Sequence, residues 1–453
     1  MQAPMSYPAH LRTILALGLP LIGGHLAQFA IGLTDTVMLG WYGVAELAAQ
    51  TLAGSYYFVQ FMLGAGFALA VMPLVAANAA AGDEIGLRRA TRMGLWLSLG
   101  FALVAMPAMW WSEPILRALG QSPQVAADAA TYLRIAGWGL IPALLVMVLK
   151  SYLAALERTQ VVLWITLLAA LSNGVANYAL IFGHWGAPEL GLRGAAIASV
   201  ASQTVALVAV VLYAARALPE HALFRRLWRA DAEMLVRVFR LGLPIGLTML
   251  SEVSLFTASA FMMGWLGTVP LAAHGIVITV ASGTFMVHLG LSNVATIRAG
   301  GAYGRGAPQE LARGARAVIA LSLAFAIVTI ATFVIFPAPI LSLFLAESDP
   351  ARPEIIATGI ALLAIAALFQ LVDGAQVIAL GLLRGVQDTA VPMMVAIVAY
   401  WAVGIPASYT LGFVFDLGGP GIWLGLVFGL ACAGVFLMLR FWRGGLRRVA
   451  LAT

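Results

Sequence analysis

The segment "VMLGWYGVAELAAQ", residues 37–50, recurs 224 positions later as "FMMGWLGTVPLAAH", residues 261–274. The same offset aligns residues 17–66 with the second half of the chain without a gap. Further matching pairs are Leu17 and Leu241, Phe61 and Phe285, Met62 and Met286, and Gly66 and Gly290. Shared Gly, Pro and Trp positions in one register indicate more than a common apolar composition. Because the offset is about half the length of the chain, the sequence predicts an internal duplication.

The composition is that of a membrane protein. Hydrophobic residues make up 62% of the chain and charged residues only 10%, with a mean hydropathy of +0.97, whereas soluble domains are about a quarter charged. A membrane helix needs roughly 20 apolar residues, and about twelve such segments follow one another with short polar breaks. They begin near residues 11, 46, 91, 131, 160, 193, 240, 271, 315, 356, 390 and 419. Little sequence remains for a soluble domain.

Duplication and helix number together predict the fold class: an all-α polytopic membrane protein with about twelve transmembrane helices in two pseudo-symmetric six-helix lobes. An even number of helices in each half gives parallel repeats, related by an axis along the membrane normal and facing each other across a cleft. The predicted bounds are an N-terminal lobe at 1–218, a basic linker at 219–239 and a C-terminal lobe at 240–453. Bilobal membrane proteins of this kind commonly transport by rocking one half against the other.

The basic residues indicate topology rather than nucleic-acid binding, although the formal net charge is +6. They lie in short loops and not on an amphipathic arm or an aromatic-rich surface. If both chain ends and every second loop are placed on one side, that side holds 21 of the 25 Lys and Arg residues. The positive-inside rule then predicts that both termini are cytoplasmic. The single cysteine, Cys432, excludes a disulfide within the chain.

Three carboxylates lie within apolar segments. Of the 19 acidic residues, Asp35, Glu252 and Asp373 are the ones placed away from loops and helix ends. An ionised side chain at the centre of a membrane helix costs about 3 kcal/mol, so each should face protein or water. Residues three, four or seven positions apart share a helix face. The polar residues on these faces are Gln28 for Asp35, Thr248 and Ser251 for Glu252, and Gln370 and Gln376 for Asp373.

Two interpretations of the three carboxylates remain open from the residues alone. They either bind a proton or an alkali cation reversibly, or they are structural groups satisfied by hydrogen bonds between helices. A basic partner would favour the structural role, but Arg240 and Arg384 lie too far along the same helices to reach Glu252 and Asp373. Asn173 and Asn177, one turn apart, by themselves indicate interhelical hydrogen bonding.

Several catalytic signatures are missing from the sequence. It contains no phosphate loop, no zinc-binding helix with paired histidines and no nucleophile turn. We therefore expect neither an enzyme nor ATP-driven transport within this chain, and we expect no cofactor. The energy source would be an ion gradient or a partner.

The motifs resemble those of the multidrug and toxin extrusion (MATE) family, particularly its NorM-like bacterial branch, over essentially the whole chain. The matching stretches are "TDTVMLG" around Asp35, "LGLPIGLTMLSEVSLF" around Glu252, "FQLVDGAQVIALGLLRGVQDT" around Asp373, "NGVANYALIFGHWGAPELG" and "YWAVGIPASYTLG". The resemblance implies a multi-pass exporter in the bacterial inner membrane. It would exchange amphiphilic, often cationic drugs for Na+ or H+ by alternating access, and act as a monomer.

The resemblance also implies residue roles. Glu252 and Asp373 would form the coupling-cation site, with both as metal ligands if the ion is sodium, and Asp35 would respond to protonation or help to release substrate. Asn173 and Asn177 match positions beside that aspartate, although one branch of the family has an acid where this chain has Asn177. The choice between Na+ and H+ stays open. The alternatives are a flippase or exporter of lipid-linked substrates, and a non-coupled membrane protein such as a scramblase.

Overall fold

The computed structural model describes residues 5–348 and 350–451, and every regular element in this part of the chain is helical. Twelve of these helices are long and apolar enough to cross a membrane. The first six are α1 (Tyr7–Tyr42), α2 (Val44–Ala80), α3 (Glu84–Trp110), α4 (Pro123–Ala155), α5 (Thr159–Phe182) and α6 (Leu192–Ala217). The next six are α7 (Ala232–Leu266), α8 (Thr268–Gly304), α9 (Pro308–Ile335), α10 (Arg352–Gly385), α11 (Ala390–Val414) and α12 (Gly418–Ala450).

The predicted all-α membrane fold with about twelve spans is confirmed, and each helix begins within eight residues of its predicted start. Several begin earlier because their first turns are polar and precede the apolar run. In α3, the side chain of Asp83 caps the helix by accepting a hydrogen bond of 2.8 Å from the amide of Gly86. The predicted cytoplasmic location of the chain ends concerns residues 1–4 and 452–453, which lie outside the described residues.

Shorter elements interrupt or join the long helices. Short helices follow α3 and α9, at Ser112–Ala118 and Pro337–Ser342. Within α11, two π-helical stretches occur at Ala399–Gly404 and Thr410–Val414. Pro406 lies between them and has no backbone N–H to donate, which locally disturbs the regular hydrogen-bond ladder of the helix.

The chain forms two compact units whose limits fall inside helices. One unit contains residues 23–246, and the other contains the chain before residue 23 together with the chain after residue 246. The breaks in α1 and α7 are therefore 224 residues apart, the same offset as the sequence repeat. The lobe bounds predicted from the sequence follow chain order instead and stay a prediction.

In the unit of residues 23–246, α2 packs closely against the first part of α7. A Cβ atom on Gly66 would lie only 2.7 Å from the Cα atom of Gly246 and would also overlap the backbone of Gly242. The absence of side chains at this crossing lets the two helix backbones touch. Around it, buried residues of α2, α3, α4 and α6 form the core, including Ala65, Ala102 and Leu144.

The other unit repeats this arrangement with α8 and the first part of α1. A Cβ atom on Gly290 would lie 3.0 Å from the backbone nitrogen of Ile22. Gly290 and Ile22 correspond to Gly66 and Gly246 at the offset of 224, so the duplication preserves a packing contact as well as sequence. The unit is also held by Ser292 and Thr296 of α8, whose hydroxyls donate to carbonyl groups of α10 over 2.7 and 2.9 Å.

Gly66→Ala should destabilise the protein because the new methyl group meets the backbone of α7, which cannot rotate away. We expect the melting temperature of the purified protein to fall by about 3 to 10 °C. Gly100→Ala on α3 is the matched control in the same unit, because no heavy atom lies within 4 Å of the added Cβ. Equal thermal shifts for the two variants would contradict this account of the crossing.

Candidate functional site

Two of the predicted coupling carboxylates lie in the same unit. Glu252 is on α7, after the break at residue 246, and Asp373 is on α10. The side chain of Asp373 is 2% exposed, and the two carboxylates are close enough for their charges to interact. The structure therefore brings this predicted pair together, although 121 positions separate the two residues in the sequence.

The amides near Asp373 are fully buried and donate away from the carboxylate. Gln376 donates to the hydroxyl of Tyr400 over 2.5 Å, and Gln370 donates to the carbonyl of Ala281 over 3.5 Å. Within the described residues, the Oε1 atoms of both glutamines and Oδ1 of Asp373 have no hydrogen-bond partner. Such unpaired buried oxygens require an explanation, and they are acceptors suited to a proton or a hard cation.

The first π-helical stretch of α11 contributes Tyr400 and Trp401 to this site. Tyr400 is fully buried and lies within the electrostatic range of Glu252 and Asp373. Trp401 donates its indole N–H to the hydroxyl of Ser251 over 3.1 Å. π-Helical turns are frequent at functional sites because they change the direction of side chains. Both aromatic residues begin the stretch "YWAVGIPASYTLG", but nothing in their spacing along the chain indicates that they accompany the carboxylates.

The charge of Arg384 acts on both Glu252 and Tyr400. Among the described residues, however, Arg384 forms no ion pair with Glu252 or Asp373, as the spacing along the helices predicts. The charge effect joins two helices, because Arg384 lies on α10 and Glu252 on α7. The predicted supporting residues Thr248 and Ser251 are buried on α7, 3% and 7% exposed.

Asp35 lies in the unit of residues 23–246 and receives its hydrogen bonds from α5. The Nδ2 atom of Asn177 donates to Oδ1 of Asp35 over 2.5 Å and to Oδ1 of Asn173 over 3.1 Å. Ser199 of α6 also lies beside the carboxylate. Gln28 is exposed, two turns away along α1. The polar surroundings of Asp35 therefore come from α5 and α6 and not from its own helix.

Twelve apolar helices with a carboxylate buried in each of two units are an architecture common among membrane transporters. The sequence pattern of the MatE family matches residues 20–179 and 244–410. The chain therefore belongs to this family, and the predicted family is confirmed. The members of the family are transporters and not enzymes. The two matched segments correspond to the two halves of the internal repeat.

Curated relatives cover the whole chain. It is 44% identical to a "Probable multidrug resistance protein NorM" of Rhizobium meliloti (strain 1021), covering 100% of this chain and 97% of the relative. A protein of the same name from Pseudomonas aeruginosa is 38% identical over 96% of this chain and 90% of its own length.

Solved structures support the fold at lower identity. A MATE protein in complex with MaL6 superimposes with a TM-score of 0.87 at 20% identity, over 98% of this chain and 97% of the other. A eukaryotic MATE transporter, AtDTX14, gives a TM-score of 0.84 at 18% identity over 98% of both chains. The architecture is therefore shared well beyond the range of close sequence similarity.

Asn177→Asp should make stability depend on pH, because it places a second carboxylate against Asp35 in a buried site. We expect the melting temperature to fall by about 5 °C at pH 8 and to recover at pH 5, where the pair can share a proton. Gln121→Glu adds the same charge to an exposed position in the connection before α4, outside the membrane-spanning helices, and serves as the control. A loss of stability in Asn177→Asp that is equal at both pH values would contradict the proposed contact.

Tyr400→Phe should destabilise the protein by removing the acceptor for Gln376. Leaving a buried amide donor unsatisfied costs about 1–3 kcal/mol, which corresponds to a fall of a few degrees in melting temperature. Tyr409→Phe on the same helix is the matched control, because Tyr409 is 50% exposed. If the two variants have the same melting temperature, the hydroxyl of Tyr400 does not hold Gln376.

Proposed function

We propose that the protein exports amphiphilic, often cationic drugs across a bacterial inner membrane in exchange for Na+ or H+. The names of the relatives support multidrug efflux. The observation that carries cation coupling is the pair of a half-buried Glu252 and a buried Asp373, accompanied by acceptor oxygens that find no donor among the described residues. No resident cofactor is needed, because the coupling ion is itself a substrate.

The charges of this site favour the uptake of one monovalent cation. Glu252 and Asp373 carry two negative charges when ionised, and Arg384 offsets one of them. One bound proton or sodium ion would cancel the remaining charge and lower the cost of holding the site in an apolar environment. Carboxylate and amide oxygens are hard ligands that suit sodium, and a carboxylate also accepts a proton.

Exchange follows if the cation and the drug favour different conformations. A cation that neutralises the carboxylates stabilises one orientation of the transporter, and the drug stabilises the other. The two ligands then reduce each other's affinity by the same factor, as linkage requires. We assign Glu252 and Asp373 to coupling and Asp35 to protonation-dependent release of substrate. Five polar neighbours would support these carboxylates: Asn173, Asn177, Thr248, Ser251 and Gln370.

Asp35 differs from the coupling pair in its surroundings, which supports a separate role. Its carboxylate already accepts a hydrogen bond from Asn177, which in turn donates to Asn173. Protonation of Asp35 would remove its charge and weaken this bond without requiring a new ligand. A change in the packing of α1 against α5 is the expected consequence.

Asp373→Asn should abolish gradient-driven export while leaving the protein folded. In proteoliposomes, we expect a fluorescent organic cation to move in response to an inward sodium gradient or to a proton gradient, tested separately. We expect the gradient-driven flux of the variant to be at least about tenfold lower than that of the wild type. The gradient that drives wild-type transport identifies the coupling ion.

Glu354→Gln provides the control, because it removes a carboxylate from an exposed position on the same helix. It should transport like the wild type, and thermal melting should show that all three proteins are folded. Unchanged coupled flux in Asp373→Asn would overturn the proposed role of this residue. If neither gradient moves the dye in the wild type, coupled drug export is wrong and lipid flipping becomes the function to assay.

A further inference from the structure

A basic cavity lies where the connection between α6 and α7 meets the beginning of α3. Its volume is about 790 Å³, and both elements belong to the unit of residues 23–246. Among the lining residues, six are arginines: Arg88, Arg89, Arg92, Arg225, Arg226 and Arg229. Asp231 is the acidic residue in the lining. We call this feature the arginine cavity.

Side chains of α3 hold the connection in place and give the arginine cavity a fixed wall. The guanidinium of Arg92 donates to the carbonyl groups of Ala222 and Leu223, each over 2.7 Å. Trp96, one turn further along α3, donates its indole N–H to the carbonyl of Leu227 over 2.8 Å. These bonds satisfy backbone acceptors that would otherwise face solvent, so the connection is a built part of the unit.

The positive charge of Arg89 is already offset by carboxylates. It forms ion pairs with Asp231 and, over 2.9 Å, with Glu233. Its hydrogen bond holds the pKa of Asp231 below the usual range of an aspartate, so this carboxylate stays ionised at neutral pH. The acidic groups nearest the cavity are therefore committed to one arginine and to the amide of Met234, which donates to Asp231 over 3.1 Å.

Four arginines remain available to a ligand. Within the part of the chain that the structure describes, Arg88, Arg225, Arg226 and Arg229 form no ion pair with a carboxylate. Nearby, Asp83 at the start of α3 is used as a helix cap by the amide of Gly86, and Glu84 is exposed beside it. The arginine cavity consequently carries an excess of positive charge, which favours an anion.

Guanidinium groups indicate the chemistry of that anion. Their planar N–H donors match the oxygens of a phosphate or a carboxylate, and the tetrahedral phosphate can present its oxygens to several guanidinium groups at once. A cavity of this volume has room for more than one inorganic phosphate. A phosphate carried on a larger group therefore fits it better.

The surroundings of the cavity favour a lipid as the source of this phosphate. Ile85, which lines the cavity, is 62% exposed, and Trp228, which precedes the lining residue Arg229 in the chain, is 77% exposed. Tryptophan is enriched where helices meet the lipid headgroups. The connections that follow two and six membrane crossings lie on the same side of the membrane, next to helix ends. Both features place the arginines at the depth of headgroups.

We propose that the arginine cavity binds the phosphate-bearing headgroup of an anionic phospholipid. Arg225, Arg226 and Arg229 contact the phosphate, Arg88 contributes charge from α3, and Trp228 packs on the acyl-chain side. Arg92 and Trp96 position the connection and Arg89 closes the cavity by its ion pairs. The bound lipid would tie the connection between the two halves of the chain to the membrane surface.

The test is a titration of the full-length protein in neutral detergent with phosphatidylglycerol, counting bound lipids by native mass spectrometry. The variant Arg225→Gln, Arg226→Gln, Arg229→Gln should bind the most tightly held lipid at least about tenfold more weakly than the wild type, since each basic residue near an anionic lipid adds to the attraction. A variant with lysine at the same three positions keeps the charge, so it should retain most of the binding and shows that the connection still folds.

The matched control is Arg158→Gln, Arg443→Gln, Arg447→Gln, which removes three exposed charges outside the cavity. It should bind phosphatidylglycerol like the wild type. Equal weakening in the control and the cavity variant would overturn the proposal in favour of general charge attraction, as would unchanged binding in the cavity variant. Tight binding of inorganic phosphate that displaces the lipid would instead identify a soluble phosphate ligand and overturn the lipid assignment.

Discussion

Close contact between helix backbones at glycine residues determines how this chain divides. Gly66 lies against Gly242 and Gly246 of α7, and Gly290 lies against Ile22 of α1. Where side chains are absent, helices in an apolar environment approach closely enough for dispersion and weak polar contacts to hold them. The first part of α7 is thereby fixed in the unit of residues 23–246, and the first part of α1 in the other unit, while the remaining residues of each helix belong to the opposite unit.

This division decides where the carboxylates lie. Because α7 changes unit after Gly246, Glu252 joins Asp373, Arg384 and Tyr400. Because α1 changes unit after Ile22, Asp35 joins Asn173 and Asn177. At the offset of 224 residues, Asp35 corresponds to Ser259 and Glu252 to Gln28, so the two polar sites do not occupy equivalent positions of the repeat. The framework was preserved after duplication, whereas the side chains of the two sites diverged.

The two sites differ in the number of hydrogen-bond donors that face the carboxylate. Asp35 faces amide donors, so its charge is stabilised without another ligand. Near Asp373, the amides of Gln370 and Gln376 donate elsewhere and leave acceptor oxygens unpaired. In a low-dielectric interior, unpaired acceptors are costly and gain most from a proton or cation. A single arginine beside two carboxylates reinforces that preference.

The order of residue types is enough to predict the helical membrane fold, the duplication and the three carboxylates that lie within apolar segments. Hydrophobic length and shared Gly, Pro and Trp positions are local properties, and an acidic residue in an apolar run is visible without coordinates. The tertiary structure alone decided that α1 and α7 divide between units and that Arg384, Tyr400 and Trp401 accompany the carboxylate pair. These contacts join residues on different helices, so they depend on packing angles and on a π-helical turn that residue spacing along one helix does not specify.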